Sequence, residues 1–407
     1  MAKLYIALVG LPARGKSLMA ERLLEGLSAD GLRVKVFNNG DLRRAELGAR
    51  SAAPEFYSPE NELGRQRREL IAEKNMQLAR EFLDQGGQVA ILDATNGSRA
   101  RRQRLEELLN DAPLLYIECI NNDPELLETS IRRKAKLSEF SHLSLDEAIR
   151  SFRQRIEYYE QIFVPLGEER CFVRVETLDN RIVDECACSD VPFYLQIRDI
   201  LISDWIRNLF LVRHSESEFN IQRRIGGNAP LTPRGQKQAQ ALADHFREIS
   251  IPFIFTSTRL RSAMTAAPLL KDHPDSIMIA LPEFDEISAG VCDGMSYEEI
   301  RRAMPEEYAA RSDNKYTYVY PDGEGYVTLR DRVSRGFRKA LFISGAAPGT
   351  IIIGHQAINR MILSLFMYRR SGAVPYIYVP QNEYFHIVAT HRKKLLELVS
   401  FTPDASF

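Results

Sequence analysis

Net charge is nearly absent from this chain: 54 lysines and arginines are balanced by 55 aspartates and glutamates, leaving a formal charge of −1. No global basic field steers it toward nucleic acid or a membrane surface, so any anion binding has to be built locally. Cysteine is scarce and odd in number, five in 407 residues, which does not read as a disulfide framework and fits a reducing compartment. Cys186 and Cys188 stand close enough to tempt as a metal pair, but no second Cys/His pair at ligand spacing joins them, and packing is the plainer role. An apolar run of 18 residues is also missing, and the opening MAKLYIALVG is too short and too β-branched for a signal peptide. The expected location is cytoplasmic. Internal repeats and low-complexity tracts are lacking as well, so the two halves of the chain are different folds.

What is present is an ordinary globular composition, 44% hydrophobic and 27% charged, in a chain too long for one core. Two domains follow. The first half alternates strand-like runs (KLYIALV, RVKVFN, QVAILDA, LLYIECI) with helical stretches, the pattern of a parallel α/β sheet. One helix, SLMAERLLEGLSADG, stops at Gly31, and a long charged one closes at Gly86 and Gly87. After ERCFVRVETL the pattern weakens, and a fresh strand starts near Asn208. The boundary is placed around 205–207, giving domains 1–206 and 207–407. The second half restarts the alternation with strands NLFLVR, FIFTS and TIIIGH and the helix PRGQKQAQALADHFREI, a second α/β domain.

Residues 10–17, GLPARGKS, fit G-x-x-x-x-G-K-[ST] between a strand and a helix. Glycine lets backbone N–H groups curl around phosphate, lysine reaches the β/γ oxygens and the hydroxyl reaches Mg²⁺. This predicts an ATP-binding loop made of Gly10, Leu11, Pro12, Ala13, Arg14, Gly15, Lys16 and Ser17, with an N-terminal domain of P-loop NTPase type. Asp93 closes the strand QVAILDA as the second metal-side carboxylate would, a helix cap being the alternative. The loop TNGSRARRQR after it, with Arg43, Arg44 and Arg68, points to a phosphorylated acceptor at the carboxyl ends of the strands, although each arginine alone is more often a solvated charge.

In the second half, LFLVRHSESEFN ends a strand in Arg213 and His214. A histidine that attacks phosphorus needs one nitrogen free, the other held, and cations around the phosphoryl oxygens. His355 ends another strand, Arg261 starts a helix, and Glu286 is placed to protonate a leaving alkoxide. His142, His245, His273, His386 and His391 lack such company and are expected to be ordinary packing or surface histidines.

The segments RHSE…N, GGNAPLTPRG, TSTRLRSAMTAA, DEISAGVCDGMSYEEI and GHQAINR resemble the histidine phosphatase superfamily. Together with GLPARGKS and DATN they resemble the bifunctional 6-phosphofructo-2-kinase/fructose-2,6-bisphosphatase family, over residues 3 to 380 or so. The resemblance implies that the first half makes fructose 2,6-bisphosphate from fructose 6-phosphate and MgATP, and that the second, a histidine phosphatase α/β domain needing no cofactor, hydrolyses it through a phosphohistidine. Lys16, Ser17 and Asp93 would serve ATP and Mg²⁺; Arg43, Arg68, Thr95, Arg99, Arg155 and Tyr159 would hold the sugar phosphate. Lys136 matches a further ATP-site lysine, with Lys134 competing. His214 would carry the phosphoryl group, with Arg213, Asn220, Gly226, Arg261 and His355 around it and Glu286 as acid and base. Tyr297, Arg311, Lys315, Tyr326, Gln356 and Arg360 would grip the 6-phosphate and the sugar. A homodimer is implied too, and no nucleic acid or membrane partner is expected.

Three departures from the family pattern stand out. Asn121 lies where a cysteine is usual, with Cys119 two residues earlier. Ser215 replaces the usual glycine after the nucleophile, and a Cβ there is expected to alter the phosphatase without killing it. Terminal extensions that carry regulatory phosphorylation in animal members have no counterpart here, so metabolites acting on the two active sites are expected to set the balance of activities. The rivals are a chain with one live half, most simply the kinase, and a sugar-phosphate-binding regulator without turnover. A polynucleotide kinase/phosphatase would pair the same chemistries, but no aromatic-interleaved basic channel is visible.

Overall fold

A computed structural model describes residues 2–48, 51, 53–186, 189–367 and 370–402, with Cys188 outside them. The chain divides into two compact units, Met1–Asp204 and Trp205–Phe407.

The first unit is built on β1 (Leu4–Val9), β2 (Val34–Asn38), β3 (Val89–Asp93), β4 (Leu114–Ile120), β5 (Phe172–Glu176) and β6 (Arg181–Cys186), in the spatial order β2-β3-β1-β4-β5-β6. Five strands run parallel, as the alternation predicts, but β6 returns antiparallel to β5 at the edge. Helices α1 (Lys16–Ala29), α2 (Asn39–Leu47), α3 (Glu62–Asp84), α4 (Arg99–Leu108), α5 (Pro124–Ala135), α6 (Leu145–Glu160) and α7 (Tyr194–Ile202) connect and cover the strands. All six residues of β1 are buried, because the strand is central and covered on both faces. Its alternation divides the core. Leu4, Ile6 and Leu8 pack with Leu23 and Leu27 of α1 and Ile197 and Ile200 of α7. Tyr5, Ala7 and Val9 pack with Met76 and Leu83 of α3 and Leu105 of α4. Both clusters hold the carboxyl end of β1 rigidly, where the glycine-rich loop begins.

The second unit orders its strands β12-β11-β7-β10-β8-β9, from β7 (Ile206–Arg213), β8 (Phe253–Thr256), β9 (Ile277–Ala280), β10 (Thr350–Gly354), β11 (Glu383–Ala389) and β12 (Lys394–Ser400). β7, β10, β8 and β9 are parallel, and β11 and β12 extend the sheet antiparallel. The helices are α8 (Glu218–Ile221), α9 (Pro233–Phe246), α10 (Leu260–Asp272), α11 (Tyr297–Ala303), α12 (Pro305–Asp313), α13 (Tyr326–Ser344) and α14 (Gln356–Ser364). Val212, Ile351 and Ile353 of the central strands pack with Leu242 and Phe246 of α9 and Leu269 of α10. β7 and β10 are neighbours, so Arg213-His214 and His355 emerge side by side at their carboxyl ends, where open α/β sheets bind ligands.

Candidate active sites

In the first unit, the loop from β1 to α1 is shaped by positive φ at Gly10 (141°), Ala13 (64°) and Gly15 (89°), a backbone of the kind whose N–H groups form anion nests. A Cβ on Gly10 would lie 2.7 Å from the carbonyl oxygen of Cys119 on β4, so only glycine fits. Lys16 Nζ donates to the Leu11 carbonyl at 2.7 Å. Burial pushes its ammonium down to about 8, against the opposing pull of Asp93. Asp93 is buried at the end of β3 and accepts from Asn38 Nδ2. The Asn38 Oδ1 in turn accepts from the N–H groups of Gly40 and Asp41 at the start of α2, at 2.7 and 3.0 Å. Asn38 is thus the helix cap that fixes the carboxylate, and Ser98 caps α4. Asp93 caps neither helix. Ser17 lies on the first turn of α1 and is exposed.

Arg14 donates to the Asn121 carbonyl at 2.6 Å, and Asn121 Oδ1 accepts from Asp123 N–H, so Asn121 braces the loop's flank. Burial pushes the Cys119 thiol up to about 12, which keeps it protonated. Lys136, at the C-cap of α5, is exposed. Lys134, two residues earlier in the last turn of α5, is half-buried, and burial followed by the Arg133 charge lowers its ammonium, opposed by Asp93. Lys134 thus lies within electrostatic reach of Lys16 and Asp93, whereas Lys136 stands exposed at the helix end.

Around the acceptor side, three arginines converge on the ring of Tyr57, in the short 3₁₀ turn Pro54–Tyr57. The guanidinium carbons of Arg155, Arg68 and Arg43 lie 4.1, 5.7 and 5.8 Å from its centroid. The Tyr159 ring is 5.8 Å away. Arg43 is buried and ion-paired with buried Glu139, which also takes Arg44 at 3.6 Å. Thr95 is half-buried beside the loop, its carbonyl accepting from Gly10 N–H at 3.1 Å. Arg99 does not join the cluster: its guanidinium pairs with Glu168 at 2.6 Å, with both side chains more than half exposed. Of the basic loop beyond it, Arg102 is buried in structural work, donating to the carbonyls of Asn96, Gly97 and Val164.

In the second unit, the backbone N–H of His214 donates to the Gly354 carbonyl at 2.9 Å. His214 Nδ1 lies 2.8 Å from the Ser215 carbonyl oxygen. A carbonyl can only accept, so Nδ1 carries the proton and Nε2 keeps its lone pair. Burial and then the charges of Arg261 and Arg213 hold the imidazole well below its usual range, hence neutral. His355 is held likewise, by burial and then by His214 and Arg261. Arg261 Nε donates to His355 Nδ1 at 3.3 Å, which puts the ring proton on Nε2, 2.8 Å from Ser257 Oγ. Ser257 in turn donates to Ser262 Oγ at 2.9 Å.

Glu286, in the loop after the turn Pro282–Phe284, brings its carboxylate to the start of α14: Oε2 accepts from Gln356 N–H at 3.1 Å, and Oε1 from Ala357 N–H at 3.2 Å. Its charge acts on both Arg213 and Arg261. Asn220 Oδ1 accepts from Ser217 and from Gln381 Nε2 at 3.0 Å, and the same Gln381 nitrogen donates to the His214 carbonyl at 3.1 Å. Gly226 has φ of 69°, and a Cβ there would lie 1.6 Å from Asp293 Oδ1. That carboxylate accepts from Gly227 N–H, while the Gly227 carbonyl accepts from Arg261 at 2.8 Å. Ser215 is buried, its N–H donates to Thr265 Oγ1 at 3.1 Å, and it is absent from the described residues with positive φ. Its backbone does not demand glycine.

Beyond the two histidines lies a second set of cations. Arg311 donates at 2.7 Å to the hydroxyls of Tyr320 and Tyr297. Lys315 donates to the Pro375 carbonyl at 3.4 Å, Arg360 to Ile377 at 2.8 Å and Arg213 to Val379 at 3.1 Å, alternate carbonyls of one segment. Arg360 also meets the Tyr326 hydroxyl at 3.2 Å. Burial, then Arg311 and Arg360, push the Lys315 ammonium down to about 8. Gln356 is half-buried next to His355. The histidines set aside in the sequence have ordinary places: His245, His273 and His386 meet Tyr384, the Phe246 carbonyl and Asn208, His391 stacks near Trp205, and His142 is exposed.

Sequence reasoning missed Asn38, Tyr57, Glu139, Ser257, Gln381 and Tyr320. Ser257 and Ser262 lie inside TSTRLRSAMTAA and were findable by their nearness to Arg261; Gln381, 167 residues from His214, gave no local signal.

Residues 1–196 match the family described as 6-phosphofructo-2-kinase, and residues 209–402 match the histidine phosphatase superfamily (branch 1). The chain is 33% identical over 394 residues to a Caenorhabditis elegans protein named 6-phosphofructo-2-kinase/fructose-2,6-bisphosphatase, covering 92% of this chain and 84% of that one. It is 35% identical over 395 residues to 6-phosphofructo-2-kinase/fructose-2,6-bisphosphatase 1 of Mus musculus, covering 92% and 79%. With 6-phosphofructo-2-kinase/fructose-2,6-bisphosphatase 3 of Homo sapiens it shares 33% over 390 residues, covering 92% and 72%.

Proposed function

Since the chain belongs to the bifunctional 6-phosphofructo-2-kinase/fructose-2,6-bisphosphatase family, and so carries a kinase and a histidine phosphatase, we propose how its own residues divide the two reactions. The kinase occupies the first unit, Met1–Asp204, and the phosphatase the second, Trp205–Phe407, two residues before the boundary expected from the sequence because β7 already begins at Ile206.

In the kinase, Gly10 to Ser17 wrap the phosphates of ATP, and Lys16 is drawn to the γ-phosphoryl oxygens, exchanging its contact with the Leu11 carbonyl for them. Ser17 and Asp93 would hold Mg²⁺: a hydroxyl and a buried carboxylate are the hard oxygen donors it takes, with phosphates and water completing its shell. The ion would neutralise charge on the β- and γ-phosphates. Arg43, Arg68, Arg155 and Tyr159 grip the 6-phosphate of fructose 6-phosphate so that its 2-hydroxyl attacks the γ-phosphorus in line; the bond from that phosphorus to the β–γ bridging oxygen breaks, ADP leaves with the electron pair, and the hydroxyl proton passes to water. Lys134 is the better placed of the two competing lysines. Thr95 lines the path between the two substrates.

In the phosphatase, His214 Nε2 attacks the phosphorus of the 2-phosphate. The P–O2 bond breaks, its electron pair goes to the sugar oxygen, and a proton from Glu286 neutralises that oxygen. Glu286 then takes a proton from water as the water attacks the phosphohistidine, releasing inorganic phosphate and restoring Nε2. Arg213, Arg261, Asn220 and His355 surround the phosphoryl oxygens, the Gly226 turn carries the Gly227 carbonyl that holds Arg261, and Arg311, Lys315, Arg360, Tyr297, Tyr326 and Gln356 retain the 6-phosphate and sugar. The observation that carries the reading is the neutral His214 with its Nε2 lone pair free between two arginines and a carboxylate. Quenching the enzyme in alkali during turnover of substrate labelled in the 2-phosphate tests it: label stays on wild-type protein and is absent from His214→Ala. Label retained by His214→Ala would refute the assignment.

A cytoplasmic homodimer is proposed on the same family grounds. No helix among the described residues is long and apolar enough to cross a membrane.

A further inference from the structure

The hydroxyl of Tyr57 is buried without a hydrogen-bond partner, in a residue only 5% exposed. Leaving a buried hydroxyl unpaired is costly, and here the surroundings make it odder still, because three guanidiniums lie around the ring. Charges of Arg155, Arg43, Tyr159 and Glu139 all act on this hydroxyl, though burial is the larger influence and raises its pKa above the ordinary phenol value. It is a neutral donor at working pH. Two neighbouring donors are unpaired as well: the buried Nε–H groups of Arg43 and Arg155. Three unpaired donors thus belong to one arginine cluster around one ring, and a phosphate dianion has the oxygens and the charge to answer them.

We propose that Tyr57 is a substrate-positioning residue of the kinase half: its hydroxyl donates to the 6-phosphate of fructose 6-phosphate, and its ring sets the spacing of Arg43, Arg68 and Arg155. The inference rests on the reading above, in which those arginines hold that phosphate. The ring accounts for the arrangement without substrate, since cations stack favourably on an aromatic face. Glu139 supplies a counter-charge to Arg43 and Arg44, which keeps the empty cluster from repelling itself apart. The hydroxyl accounts for selectivity. It rewards a phosphorylated acceptor and is left unpaired by an unphosphorylated one.

Tyr57→Phe keeps the ring and removes only the donor. Steady-state kinase measurements on the full chain should give a KM for fructose 6-phosphate raised roughly tenfold or more, the scale of a hydrogen bond to a charged group, with kcat falling by less than KM rises and the KM for MgATP moving less than twofold. Competitive inhibition by inorganic phosphate against fructose 6-phosphate should weaken in parallel, a readout that a purely structural role would not move. Fructose 2,6-bisphosphate hydrolysis by the same preparation serves as the folding control. An unchanged KM in Tyr57→Phe, alongside a raised KM in Arg155→Ala, overturns the role of Tyr57 alone. An unchanged KM in Arg155→Ala overturns the underlying assignment of the phosphate site. Loss of both activities in Tyr57→Phe would show that the hydroxyl is structural, and would also overturn the proposal.

Discussion

His214 and His355 face each other with ring centroids 5.0 Å apart and planes at 57°, from the ends of adjacent parallel strands joined by His214 N–H to the Gly354 carbonyl. Two imidazoles this close, with Arg261 and Arg213 beside them, cannot both accept protons, and both are held well below the usual histidine range by burial first and by neighbouring charges second. The nucleophile is therefore ready at neutral pH. The acid limb of phosphatase kcat/KM attributable to His214 should lie well under the ~6.5 of a free imidazole. An acid limb centred at 6.5 or above would contradict this.

The same depression predicts a stability trend. The folded histidines refuse protons that the unfolded ones accept below about 6.5, so stability is full above that pH and is lost as pH falls toward the folded values, at up to ~1.4 kcal/mol per pH unit for each histidine. Urea unfolding of the phosphatase half at pH 7 and pH 5.5 measures it. The double change His214→Gln with His355→Gln should flatten the difference.

Ser215→Gly should change phosphatase turnover by no more than about threefold. Glycine's advantage lies at positive φ or where a Cβ collides, and Ser215 has no positive φ. A larger gain would mean that the serine Cβ or hydroxyl crowds the phosphoryl group, restoring the expectation of an altered phosphatase.

Gln381→Ala should lower phosphatase kcat about tenfold, the scale of one or two lost hydrogen bonds, because one amide nitrogen ties the His214 carbonyl to Asn220. Kinase activity is the control. An unaltered kcat would show that the strand ends are already rigid without it.

MgATP binding should take up protons in alkaline solution. With Lys16 at about 8 before binding, about nine-tenths of it is neutral at pH 9, and phosphate favours the ammonium. Calorimetry in buffers of differing ionisation enthalpy should find uptake approaching one proton at pH 9 and little at pH 6.5; Lys16→Met should abolish it.

The motifs were legible because they lie at strand ends, where pattern and chemistry coincide: GLPARGKS, Asp93, His214 and His355 needed no tertiary information. The buried strands β1, β3, β7 and β10 read clearly from continuous apolar runs. β6 did not, because five of its six residues are exposed and its apolar residues form no run longer than Ile182-Val183. The choice between Lys134 and Lys136 depended on where α5 ends, a one-residue matter that spacing could not decide. Arg99 carried the right chemistry in the right loop, yet Glu168 holds it at the surface. Tyr57 and Gln381 were invisible for a related reason: nothing in EFYSPEN or VPQNEY signals the arginines or the histidine that folding brings to them.

The central claim, that one chain both makes and breaks the same phosphate ester, is tested by supplying purified protein with MgATP and fructose 6-phosphate, following acid-labile fructose 2,6-bisphosphate, and then removing ATP with a trap. The account predicts a rise followed by decay, with Lys16→Ala abolishing the rise and His214→Ala the decay. Product that rises and then persists in the wild-type protein would contradict it.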